Sequence, residues 1–90
     1  MSESLVGKVA MSLRNSWNED YKYDIQSQGE IIEVTEYFTR LRIHSFISGE
    51  ATNVIEAVPT HRMRLRGGWL VFDNWEELRS AYEEFYKFDA

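Results

Sequence analysis

The stretch from His61 to Leu78, HRMRLRGGWLVFDNWEEL, constrains this chain more than any other, because distinct local signals follow one another in it with no slack. Met63 and Leu65 alternate with Arg62, Arg64 and Arg66, the period-two pattern of a half-buried strand with an arginine row on its open side. Gly67-Gly68 offers the positive φ angles of a two-residue hairpin turn. Trp69, Leu70, Val71 and Phe72 form an apolar run, and Asp73 with Glu76 three residues on has the form of a capping box. A strand, a turn, a second strand and a helix start are therefore predicted in direct succession.

The helix that follows carries a stripe of Trp75, Leu78, Tyr82 and Phe85, with Glu76, Glu77, Glu83 and Glu84 on its other side. At the opposite end of the chain, Leu5, Val6, Val9, Ala10, Leu13 and Trp17 recur at spacings of three and four. They predict an N-terminal amphipathic helix, capped by Ser2 and weakened by Gly7. Asn18-Glu19-Asp20 ends it. Tyr21, Tyr23 and Ile25 then alternate with polar residues as a strand, and Ser27-Gln28-Gly29 is predicted as a turn.

From Glu30 to Ile47 the chain is rich in β-branched and aromatic residues and contains neither glycine nor proline. Its apolar positions change parity, Ile32, Val34 and Phe38 being even and Leu41, Ile43 and Ile47 odd, so a bulge or turn near Glu36 to Thr39 must reset the buried face, giving two strands. Ser48-Gly49-Glu50 forms a further turn, Asn53 to Val58 is predicted as a short strand, and Pro59 marks its break. The predicted fold is a single α+β domain over residues 1–90. It has a mostly antiparallel sheet of four to six strands, with an N-terminal and a C-terminal amphipathic helix on one face.

Composition closes several functional classes. With no cysteine there is no disulfide framework, thiolate metal site or catalytic thiol. His44 and His61 are the only histidines and stand in no HxH or HExxH spacing, so no metal or cofactor site is expected, and no nucleophile elbow accompanies them. A non-enzymatic protein is the expectation. The chain has no basic leader followed by an apolar core and no membrane-length apolar run, which makes a cytoplasmic location the default.

Charge supplies the functional hypotheses. The formal net charge is −5, but the residues from Tyr37 to Phe72 hold five arginines against Glu50 and Glu56, and both flanks are acidic. Arg40 and Arg42 share one strand face, and Arg62, Arg64 and Arg66 share another. If those strands are neighbours, a basic patch opens opposite the helices, with Trp69 beside it. The plainer reading pairs these arginines across strands with Glu33, Glu36 and Glu56 as a solvated face. We take Arg40, Arg42, Arg62, Arg64, Arg66 and Trp69 as the candidate partner-binding residues, since arginine and tryptophan are enriched at interface hot spots.

The expected function is that of a small acidic protein-binding module, an inhibitor, adaptor or accessory protein of phage or bacterial type. Its expected partner is a protein or nucleoprotein. The alternative is a nucleic-acid-binding module using an arginine-rich sheet face, which the acidic overall balance opposes. The acidic helix faces suit mimicry of a phosphate backbone as a further variant. An uncovered edge strand leaves a homodimer open. The sequence carries no motif that ties it to a known family.

Overall fold

The structure is a computed structural model that describes residues 5–17, 19–45, 50–64 and 68–87. Five strands form one antiparallel sheet: β1 (Val9–Asn15), β2 (Tyr23–Val34), β3 (Phe38–His44), β4 (Ala51–Pro59) and β5 (Trp69–Phe72), in the order β4-β3-β2-β1-β5. A 3-10 turn (Thr60–Arg62) follows β4, and helix α1 (Trp75–Ala81) follows β5, extended by a π turn (Tyr82–Tyr86). The C-terminal helix and the antiparallel sheet are as predicted; among the described residues there is no N-terminal helix.

The segment predicted as that helix is instead β1, and the reason lies in its position. β1 is flanked by β2 and β5, and Val9, Ala10 and Met11 are all buried, on alternating faces. A strand covered on both sides loses the apolar–polar alternation that would identify it and becomes a short continuous apolar run, which fits a helical template equally well. Gly7, at φ 91°, turns the chain into the strand.

Two further expectations are corrected. Ser27-Gln28-Gly29 is not a turn but the middle of the twelve-residue β2. Gly29 is there because β3 comes close: a Cβ on it would lie 2.5 Å from the backbone oxygen of Arg42. Secondly, Arg62 to Arg64 do not form a strand antiparallel to β5. Arg62 ends the 3-10 turn, Arg64 takes a left-handed backbone at φ 58°, and Met63 makes a single parallel bridge to Trp69. Leu65, Arg66 and Gly67 lie outside the described residues.

Ile32 and Phe38, grouped with Val34 by parity, are exposed, because β2 shifts register between Ile31 and Glu33 and buries Ile31 instead. The parity reset near Glu36 to Thr39 is the β2–β3 hairpin. Its turn is held by Thr35, whose N–H donates to Phe38 O at 2.7 Å while its hydroxyl accepts from the Phe38 N–H at 2.9 Å.

Both faces of the sheet bury a core. On one, Ala10, Ile31, Leu41, Val58 and Trp69 pack with Met63, which the chain carries beneath the sheet after leaving β4. Thr60 fastens this strap, its hydroxyl donating to Thr35 O at 2.8 Å. On the other, Val9, Met11, Leu13, Leu70 and Phe72 pack under Leu78 and Tyr82 of the helix. The helix therefore covers β1 and β5, touches β3 at His44 through Trp75, and leaves the rest of β3 and β4 on its own face open.

Candidate interaction surface

Directly opposed residues in a ladder point to the same face, so the register assigns each candidate. Val9, which packs under the helix, pairs with Glu30, Glu30 with Arg42, and Arg42 with Ile55. Arg42 accordingly lies on the helix-bearing face, and alternation along β3 places Phe38 and Arg40 with it. The next row pairs Glu33, Arg40 and Ala57. This corrects the expectation of a basic patch on the face opposite the helices. The arginines lie beside the helix, on the half of its face that it does not reach.

The surface so formed has a definite composition. Phe38 is 52% exposed and Ile55 43%, with Arg40 and Arg42 between and beside them. Arg40 Nε lies 3.3 Å from Glu33 Oε1, so the cross-strand pairing with Glu33 is realised, while Arg42 stands opposite Glu30. Tyr37, 71% exposed, stands next to Phe38 in the hairpin turn. At the helix end the patch is bounded by His44, whose ring centroid is 4.8 Å from that of Trp75. Arginine, aromatic and aliphatic side chains are thus interleaved on a rigid sheet rather than on a loop.

The remaining candidates do not join it. Arg62 and Arg64 are exposed on the strap, which crosses the other face, and Arg66 lies outside the described residues. Trp69 is 6% exposed and belongs to the core beneath the sheet, where it packs with Met63 and Ala10. The spacing of Arg62 and Arg64 is a poor strand signal because exposed arginines suit a surface strap as well as a strand. Residues missed by sequence reasoning are Phe38, Ile55 and Ala57. Ile55 and Ala57 alternate with Val54, Glu56 and Val58 in a run that is apolar at almost every position, so the sequence does not show which side is open.

Electrostatics elsewhere serves the scaffold. Lys8 forms an ion pair with Asp73 just ahead of the helix, and its hydrogen bond and charge hold the Asp73 carboxyl below its ordinary range. Burial, assisted by Asp24 and Glu83, pushes the Tyr82 hydroxyl up, and that hydroxyl donates to Tyr23 O at 3.0 Å. A groove along the outer side of the helix is lined by acidic Glu76, Glu77 and Glu84 with Phe85. Among the described residues no three His, Asp or Glu side chains are gathered as metal ligands would be, and no helix is long and apolar enough to cross a membrane.

Comparison of the chain with protein-family models, with curated proteins and with solved structures gives no match.

Proposed function

We propose that the chain is a small acidic, non-enzymatic protein-binding module, acting as an inhibitor, adaptor or accessory protein. Its contact surface is the half of the sheet that the helix leaves uncovered. The observation that carries this reading is the exposure of Phe38 and Ile55 on the same strand face as Arg40 and Arg42. Large apolar side chains on a regular sheet, held without a covering element, are what a partner desolvates. Arginine beside them adds directional hydrogen bonds to carboxylates or carbonyls. The pairing of Arg40 with Glu33 reduces the local positive charge, which favours a protein partner over a polyphosphate.

The test uses the full chain immobilised against a lysate of its native host. Phe38→Ala and Arg40→Ala sit at exposed positions and are expected to keep the fold while weakening retention of the bound protein at least tenfold. Trp17→Ala, at a residue 90% exposed and remote from the patch, is the control and is expected to change nothing. Retention unchanged by both patch variants would overturn the reading. High affinity for a single-stranded oligonucleotide at low salt, falling steeply as salt is added, would replace it with the nucleic-acid alternative.

A further inference from the structure

The two edges of the sheet are unequal. β5 offers four residues and runs at once into the helix, whereas β4 offers nine. Val54, Ile55, Glu56 and Ala57 of β4 are all exposed, and Glu56 is its one ionisable side chain. Natural edge strands of this length usually carry lysine, an inward charge or a covering element to prevent pairing. Among the described residues, β4 has Pro59 at its end and a register shift between Ala51 and Ile55, but along Ile55–Ala57 only Glu56 opposes pairing.

The hydrogen-bond pattern shows which groups face outward. Thr60 N–H donates to Tyr37 O, so the opposed pair Pro59 and Phe38 is a non-hydrogen-bonded one. Counting back along the regular part of the ladder, Val58 and Glu56 turn their backbone groups toward β3. Ala57 and Ile55 turn theirs away from the sheet. Two copies related by a two-fold axis normal to the sheet can pair only residues of like parity, and within Ile55–Ala57, the exposed residues of the regular ladder, that gives three registers. Centring on Glu56 sets two carboxylates directly opposite each other, which is unfavourable. Centring on Ala57 sets Ile55 against Pro59, which has no N–H to give its carbonyl. Centring on Ile55 lets each Ile55 exchange both bonds with its own copy. It also apposes the two Ile55 side chains and moves the glutamates to a diagonal about 8 Å apart.

We infer that β4 pairs antiparallel with β4 of a second copy about an axis at Ile55, joining two sheets into one of ten strands. The open halves of the two helix-bearing faces then become continuous, with Phe38, Arg40 and Arg42 of each copy on a shared floor between the two helices. A strand-to-strand contact of this length falls below the roughly 1,200 Å² of standard interfaces, so association is expected on the order of 100 µM. Because each copy carries −5, added salt strengthens it.

Sedimentation equilibrium from about 1 to 500 µM is the test, and the average mass is expected to rise toward twice that of the chain. Ile55→Pro removes only an outward-facing N–H, which an edge strand tolerates, and is expected to stay folded and monomeric throughout. Ile55→Lys, which opposes its own charge across the axis with the backbone intact, gives the same result if the proline variant fails to fold. The chain has no cysteine, so the register is read by crosslinking. A Val54→Cys chain mixed with a Glu56→Cys chain is expected to form the mixed disulfide in preference to either homodimer. Wild-type protein that stays monomeric at 500 µM, or dimerisation indifferent to both Ile55 variants, overturns the inference. Dominant crosslinking of Glu56→Cys to itself overturns the Ile55 axis. The pairing does not rest on the partner-binding reading: a wild-type chain that stays monomeric at about 500 µM yet loses retention with Phe38→Ala would leave that reading standing without the dimer.

Discussion

Gly29 shows how one missing methyl group determines the spacing of two strands. Alanine there would place Cβ 2.5 Å from a backbone oxygen of β3, and backbone cannot step aside as a flexible side chain can. Gly29→Ala is expected to destabilise the fold by about 1–3 kcal/mol in denaturant unfolding and to disturb the β2–β3 pairing that positions Arg42. Asp73 supplies a pH effect. Its carboxyl titrates below its ordinary value of 3.8 because Lys8 favours the ionised form. The contribution is therefore present above the unfolded-state value and lost as pH falls through the lower folded-state one. Lys8→Met is expected to flatten that acid limb of the stability–pH profile and to leave the profile above pH 5 parallel to wild type. The Lys8–Asp73 pair was not legible in the sequence, because the two residues are 65 positions apart and only the pairing of Val9 with Phe72 brings them together.

At the level of elements, the C-terminal helix was legible and its frame was displaced by one residue. The cap is Asn74, whose side-chain oxygen accepts from Glu77 N–H at 2.9 Å, in place of the predicted pair Asp73 and Glu76. Asn74→Ala is expected to lower stability by about 1 kcal/mol, whereas Glu76→Ala should change it by less than about 0.5 kcal/mol; thermal unfolding of the two variants distinguishes the frames. Further along, Lys87 N–H donates to Tyr82 O, an i to i+5 bond that adds a residue to the turn. This turns Phe85 out to solvent, 71% exposed, and brings Tyr86 against the core in its place. Spacing of three and four presumes a regular helix, so a π turn is invisible to it. The hairpin between β2 and β3 was legible because a parity change in a half-buried run has few other causes. β1 was not, because two-sided burial erased its period.

For the whole molecule, the sheet is a central layer with helix above and strap below, and each cover draws on residues that the sequence alone assigns ambiguously. Trp69 illustrates the difference between composition and place. Proximity in sequence groups it with surface arginines, yet it is among the residues that close the lower core. Trp69→Ala is expected to cost about 3–5 kcal/mol and to unfold much of a domain this size, while Trp17→Ala should lie within about 0.5 kcal/mol of wild type. Equal effects in a urea titration would contradict the two placements.

The strand order also has a temporal meaning. β1 to β4 form a meander in which each strand meets its predecessor through a short connection, but β1 receives its second neighbour only from β5, more than fifty residues later in the chain. As the chain leaves a ribosome, Val9 and Met11 wait uncovered, and the inner edge of β1 stays unpaired, until the last quarter of the sequence has emerged. The final strand and helix thus act as a clasp on a sheet already laid down. The interval before they close is when this protein is most exposed to joining the wrong neighbour.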